Sequence, residues 1–189
     1  PPNTRLHEAM GYSVLGGGKR LRAFLVHAAA DLFSVPSETA LRVAAAIEFV
    51  HAYSLVHDDL PAMDNAHMRR NKPSCHRAYG EATAILVGDA LIPLAFQTLS
   101  SLPASKDVQG ELTQELSRVI GSEGLVLGQM MDLNQEGPIL TDEDLLTLQR
   151  LKTGVLFGFA AEAGAILGNA SASDREALKN FGLLFGRMF

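Results

Sequence analysis

Three carboxylates fall within seven residues, Asp58-Asp59-Leu60-Pro61-Ala62-Met63-Asp64, and Arg69 and Arg70 follow shortly after. They close a long apolar run from Leu41 to Val56. Acids at the end of an apolar helix are costly unless a cation binds them. Clustered carboxylates suit a hard divalent cation such as Mg²⁺, which takes oxygen ligands and often shares them with phosphates. Two adjacent arginines can grip the phosphate oxygens that the metal leaves free. A metal-bound diphosphate is the ligand this chemistry fits.

The element that must position the acids is a helix over Leu41 to Asp59. At about 100° per residue, His51, Ser54 and Asp58 share one narrow wedge, with His51 about 10 Å below Asp58. The other positions are mostly Ala, Val, Phe and Leu. A polar wedge on such a helix points to an internal cavity; the plainer reading is a solvated face. Continued ideally, Asp64 would sit about 120° from Asp58. Pro61 forbids that continuation, because it lacks an N–H and clashes with the preceding turn. Two extra residues beside the kink can carry Asp64 back to the face of Asp58. Without them the acids would stand at i and i+4 on one face. Asp59 faces elsewhere.

The rest of the chain reads as helical. Alanine and leucine recur in threes and fours, and strand signals are almost absent. Helices are expected near 4–15, 20–32, 37–60, 81–101, 107–134, 142–168 and 172–189. Breaks fall at Gly16-Gly17-Gly18, Val35-Pro36-Ser37, from Pro61 to Pro73, at Leu102-Pro103 and at Gly137-Pro138. Ser37 is a candidate helix cap, and Thr141-Asp142-Glu143-Asp144 is a stronger start. The chain is 47% hydrophobic and 20% charged, with a formal net charge of -5. That balance gives no sign of nucleic-acid binding. The single cysteine, Cys75, excludes an intrachain disulfide and fits a reducing compartment. The start shows no signal-peptide pattern, and the longest candidate membrane stretch, Val155 to Gly168, contains Glu162. The expectation is a cytoplasmic protein without a membrane span, built as one all-α domain over residues 1–189. Cys75, His76 and His67 have no zinc-type spacing.

The motifs in their order resemble the trans-prenyltransferases, the isoprenyl diphosphate synthases. Asp58-Asp59-x4-Asp64 is similar to their first aspartate-rich motif in its bacterial form. Arg69-Arg70-Asn71-Lys72-Pro73 resembles Arg-Arg-Gly-Lys-Pro. Gly17-Gly18-Lys19-Arg20-Leu21-Arg22 resembles Gly-Gly-Lys-Arg-x-Arg-Pro, with Ala23 for the proline. Gly88-Asp89-Ala90-Leu91 resembles a helix-start signature. Gly128-Gln129-x-x-Asp132 and Leu151-Lys152-Thr153-Gly154 match two further motifs. The likeness runs from about Leu6 onward. It implies an isoprenoid-synthase type of helical bundle around a central cavity. It also implies a first helix before Arg5 and a second Asp-Asp-x-x-Asp motif after Phe189, so the domain is expected to be incomplete at both ends. The acids that often follow Asp64 in the family appear here as Asn65-Ala66-His67.

The resemblance further implies head-to-tail condensation of isopentenyl diphosphate with an allylic diphosphate, dimethylallyl or geranyl. It gives Asp58, Asp64 and, in a lesser role, Asp59 to Mg²⁺, and adds Asp132 to that set. Arg69, Lys152, Thr153 and Gln129 belong with the departing diphosphate. Lys19, Arg22, His51 and Arg70 belong with a second, metal-free diphosphate. Other readings stay open: a solvated basic cap for Lys19, Arg20 and Arg22, a core histidine for His51, and a back-bonded hydroxyl for Thr153. Gly124 and Gly128 read as close helix packing. Gln129 and Asp132, at i and i+3, share a helix face and are expected to be buried beside Met130 and Met131. Tyr53 and Ser54 stand where the family sets product length, a bulky aromatic at Tyr53 going with farnesyl diphosphate. The alternatives are geranylgeranyl diphosphate synthase, a non-catalytic regulatory subunit, and a class I terpene cyclase. The last is disfavoured because a cyclase has no second diphosphate to hold. A homodimer is expected.

Overall fold

A computed structural model describes residues 4–133 and 141–188. Their chain forms ten α-helices and one two-stranded ribbon: α1 Arg5–Leu15, α2 Leu21–Leu32, α3 Ser37–Asp58, β1 Met68–Arg69, β2 Lys72–Pro73, α4 Cys75–Tyr79, α5 Glu81–Ser100, α6 Lys106–Ile120, α7 Leu125–Leu133, α8 Asp142–Gln149, α9 Val155–Leu167 and α10 Ala172–Gly186. The all-α expectation holds. Residues group into two compact units. Among the described residues the first comprises residues 4–20 and 48–97, the second residues 21–47, 98–133 and 141–188.

In the first unit the buried face of α5 runs through Ala84, Val87, Leu91 and Ala95, at helical spacing. The end of α3 contributes Val50, Ala52, Tyr53 and Val56. The first helix is fixed at its start, where Arg5 donates to the Tyr79 carbonyl at 2.6 Å, and again where the Tyr12 hydroxyl donates to the Pro73 carbonyl at 2.6 Å.

The second unit is built on α9, whose residues from Leu156 to Ile166 are all buried. It packs against α2, α6 and α10. The approach to α2 is so close that a Cβ on Gly164 would stand 2.4 Å from the Ala30 nitrogen, so no larger residue fits. Glu162 is the one acid of α9. At 5% exposure it is held by Lys179, 2.7 Å from its Oε2, and by Arg175 at 3.5 Å from Oε1. Glu111, Glu115 and Arg118 complete a charge network on α6 and α10.

Several expectations are corrected. The stretch after Pro61 holds a small antiparallel hairpin, Met68 opposite Pro73 and Arg69 opposite Lys72. Its two central residues, Arg70 and Asn71, both have positive φ, 51° and 61°, the backbone of a type I′ turn. Asparagine tolerates that region, which suits Asn71 to the second turn position. The helix expected over 107–134 is two helices, broken at 121–124. There Gly124 lies so close to the end of α6 that a Cβ would reach 1.8 Å from the Val119 carbonyl. The helix expected over 142–168 is interrupted by a π-helical turn, Arg150–Gly154, closed by the Val155 N–H on the Arg150 carbonyl. Gly88 lies in the middle of α5, not at a helix start. Ser37 is the first residue of α3 rather than its cap: the Pro36 carbonyl accepts from Thr39 and Ala40, and the Ser37 hydroxyl pairs with the His27 ring at 3.0 Å. Thr141 does cap α8, in a reciprocal capping box with Asp144. The break at Gly137-Pro138 lies outside the described residues. Two helices, α3 and α5, are long and apolar enough to cross a membrane by length and composition, although Val155 to Gly168 was the expected longest stretch. Buried side chains make up 61% of the apolar window of α3 and 33% of that of α5.

Candidate functional site

The first unit gathers most of the predicted site. The end of α3 is a helix that stays regular to Asp58, then meets Pro61, which cannot continue it. The chain turns through residues 59–64 and returns. The Asp64 N–H donates to the Asp58 carbonyl at 2.9 Å, and Asn65 and Ala66 donate to Leu60 and Asp59 at 3.0 and 3.2 Å. Residues 59–64 therefore form a closed turn that brings the Asp64 backbone back beside that of Asp58. Asp64 is exposed and Asp58 half-buried.

Asp59 points elsewhere. It is only 2% exposed, and Arg69 grips its carboxylate through Nε at 3.1 and 3.2 Å and Nη2 at 2.5 Å. This pairing is bidentate, the strongest form of carboxylate recognition. The hydrogen bond to Asp59 holds the Arg69 guanidinium above its ordinary value against the cost of burial, and the charges of Asp59, Asp58 and Asp64 add to it. In this structure Asp59 is the partner of Arg69, which fixes the arginine's place.

Arg70 is in a different situation. Its Nη1 donates to the Gly17 carbonyl at 2.5 Å, and its guanidinium lies flat against Gly18, where a Cβ would stand 2.8 Å from Cζ. Burial lowers its affinity for the proton, and the positive charges of Arg20 and Arg69 lower it further, with only Glu48 opposing. A cation held near other cations in a partly desolvated place is stabilised by any anion that approaches it. Lys19, on the same loop, is exposed. Gly17 and Gly18 have φ of 96° and 113°, a region glycine enters without strain.

The wedge read from the helix wheel is accessible. His51, Ser54 and Asp58 are half-buried while Val50, Ala52, Tyr53 and Val56 are buried. The Ser54 hydroxyl donates to the His51 carbonyl at 2.9 Å. Tyr53 is 6% exposed and stands edge-on to the His57 ring at 5.9 Å. Burial pushes its phenol upward. His57 occupies a seat on α5 that only a glycine leaves open, since a Cβ on Gly88 would fall 2.0 Å from its Nε2.

The second unit brings together the other predicted residues. Lys152 and Thr153 lie in the π turn, half-buried, and Lys152 forms an ion pair with Asp132 of α7. Gly128 permits this, because a Cβ there would reach 2.4 Å from the Lys152 nitrogen. The close-packing reading is thus borne out for Gly128, whereas Gly124 closes locally onto Val119 at the end of α6. Gln129 and Asp132 are half-buried and Met130 is 55% exposed, so the expectation of a buried face on α7 is corrected. Arg22 places its guanidinium 4.1 Å from the centre of the Phe157 ring.

Among the described residues no three acid, imidazole or thiol groups form a metal cage. Mg²⁺ does not need one. It binds through one or two carboxylates and keeps its other positions for water and phosphate, which Asp58 and the exposed Asp64 fit. Cys75 is buried, and burial raises its thiol, as in an inert structural cysteine. Sequence reasoning missed Glu48 and the pairing of Asp59 with Arg69. A lone acid inside the apolar run Val43 to Val50 was the available signal for Glu48.

Residues 3–189 match the polyprenyl synthetase family. The chain is 43% identical over 192 residues to the heterodimeric geranylgeranyl pyrophosphate synthase large subunit 1 of Arabidopsis thaliana, covering 98% of this chain and 52% of that protein. It is 40% identical to the farnesyl diphosphate synthase of Geobacillus stearothermophilus, over 98% of this chain and 63% of the relative. The crystal structure of an FPP/GFPP synthase from Zymomonas mobilis superposes with a TM-score of 0.95 at 47% identity, covering 98% of this chain and 68% of that one. The chain thus spans about half to two thirds of the length of these curated relatives. With a match along nearly its whole length and a fold shared at close identity, the chain belongs to the polyprenyl synthetase family.

Proposed function

We propose that the protein is a Mg²⁺-dependent prenyltransferase that condenses isopentenyl diphosphate with an allylic diphosphate, dimethylallyl or geranyl, and releases farnesyl diphosphate. The observation that carries this reading is the turn returning Asp64 to Asp58 while Arg70, crowded by Arg20 and Arg69, lies on the glycine loop. Carboxylates for a metal and cations for an anion stand in one compact unit. Bound Mg²⁺ would supply positive charge against the departing diphosphate, where electrostatic stabilisation lowers the barrier to ionisation.

Asp58 and Asp64 would hold the metal. Asp59 holds Arg69 in place for the departing diphosphate. Arg70, Lys19 and His51 would bind the metal-free diphosphate of isopentenyl diphosphate, with Arg22 as a further contact. In the second unit, Lys152, Thr153 and Gln129 are proposed diphosphate contacts. There the pairing of Lys152 with Asp132 means that a metal on Asp132 would compete with the lysine. We also read residues 1–189 as one prenyl synthase domain of a cytoplasmic homodimer. The outward face of α5 carries Ile85 and Leu86 at 45% and 56% exposure, an apolar surface suited to a second copy.

A second reading, geranylgeranyl diphosphate synthase, is favoured by the plant relatives at 41–43% identity that carry that name. Product length separates the two. The full-length protein is given radiolabelled isopentenyl diphosphate, geranyl diphosphate and Mg²⁺, and product chains are separated after dephosphorylation. Farnesyl from the parent and geranylgeranyl or longer from Tyr53→Ala are expected, because removing a buried ring opens room for about 0.8 kcal/mol per added methylene. A parent profile of geranylgeranyl overturns the farnesyl reading; no incorporation overturns the activity.

A further inference from the structure

The glycine loop needs an explanation for Arg20. It has φ of 52°, in the left-handed region that strains a non-glycine residue. Its side chain leaves the loop's exposed face. Nη1 reaches Glu48 Oε2 at 2.5 Å, and Nη2 reaches the Val14 carbonyl at 2.5 Å. Glu48 is 7% exposed, on the one stretch of α3 with no other acid before Asp58. A buried carboxylate is retained only with a hydrogen-bonded cation. Arg20 supplies that cation and ties the end of α1 to α3 with the same guanidinium. From its other side the loop is held by Arg70 on the Gly17 carbonyl, packed against Gly18.

We propose that Arg20 and Glu48 are a positioning pair for diphosphate binding: Arg20 is no ligand, and its anchor on Glu48 sets the Gly16–Arg20 loop so that Lys19 and Arg70 face the metal-free diphosphate. This rests on the reading that the loop binds isopentenyl diphosphate. The loop's strain at Arg20 persists because two fixed acceptors, one charged and one backbone, overdetermine it. Lysine cannot replace this, since a point charge does not donate in two fixed directions.

The proposal differs in sign from the simpler idea that Arg20 itself grips the diphosphate. If Arg20 were a ligand, Glu48 would compete for it, and Glu48→Gln would lower the KM for isopentenyl diphosphate. As a positioning pair, Glu48→Gln loosens the loop and raises that KM about tenfold, with kcat and the allylic KM within twofold of the parent. Arg20→Lys, which keeps the buried acid paired, falls between.

The test combines steady-state kinetics with amide hydrogen exchange of residues 16–20 in the full-length protein without substrate. Faster exchange of the loop amides by about tenfold in Glu48→Gln, together with the selective rise in KM, is the expected result. Unchanged exchange, or a KM for isopentenyl diphosphate that is unchanged or lower in both variants, overturns the pairing. A parent protein that turns over no isopentenyl diphosphate removes the functional reading instead, and the exchange measurement then decides the pairing alone.

Discussion

The two units use the same charged residue types to opposite ends. In the second, Glu162 of α9 is buried but answered: Lys179 and Arg175 reach it, and Glu111, Glu115 and Arg118 extend the pairing. In the first, Arg20 and Arg69 each have an acid, Glu48 and Asp59, while Arg70 donates to the Gly17 carbonyl and is repelled by the charges of Arg20 and Arg69, with Glu48 opposing. A balanced network stabilises a fold. A cation crowded by cations gives up stability in the free protein and recovers it when an anion arrives. The contrast separates charges that are paired within the fold from the one that supports the proposed diphosphate site.

The largest expected effect tests the acids beside that cation cluster. Asp58→Ala should lower turnover by about 10³-fold or more, about 4 kcal/mol of transition-state stabilisation, with thermal stability little changed. Loss of stability in place of turnover would move Asp58 to the architectural side.

Lys179→Met should do the reverse. It leaves Glu162 buried with only the more distant Arg175, and a buried charge stripped of its partner costs about 3 kcal/mol. Chemical denaturation should show the loss, while the KM values stay put. A stability change under about 1 kcal/mol would mean that Arg175 moves in to replace the lysine. Arg70→Ala sharpens the comparison from the other side. It should alter stability by no more than about 0.5 kcal/mol, since relief of the repulsion offsets the lost hydrogen bond to the Gly17 carbonyl, yet weaken pyrophosphate binding about tenfold.

The smallest effect is a pH dependence. Burial raises the Glu115 carboxyl, but the hydrogen bond from Arg118 and the charge of Lys179 outweigh it and hold it below the ordinary value. A carboxyl depressed in the folded state contributes stability that is complete above its unfolded value and is lost as pH falls through the folded one. Glu115→Gln should therefore flatten the acid limb of the stability curve below about pH 4 by under about 1 kcal/mol. An identical acid limb in parent and variant would show that the network carries no linkage.

Much of this contrast was legible in the sequence, for local reasons. The apolar run before Asp58 and the proline after it define α3 and its end, and the same proline points to the turn whose backbone closes from Asp64 onto Asp58. Thr141 with Asp144 is a cap that depends on four consecutive residues. What escaped notice was long-range or irregular. The π turn at Lys152-Thr153 has no periodicity signal, and the close approach of Gly128 of α7 to that backbone is a contact from more than 20 residues away. The break at 121–124 hid in an otherwise helical pattern. The acids Glu48 and Asp59 were visible, but their arginines lie 28 and 10 residues away, and spacing alone does not pair them.

The central claim is that the first unit carries both a metal-dependent and a metal-independent site for diphosphate. Calorimetric titration of the full-length protein with inorganic pyrophosphate, with Mg²⁺ and with chelator, tests it most directly when parent and Asp58→Ala are compared. Two binding components in Mg²⁺ for the parent are expected. One of them should persist in chelator, and only that one should remain in Asp58→Ala. A parent that binds no pyrophosphate, or an Asp58→Ala variant that keeps the metal-dependent component, would contradict the account.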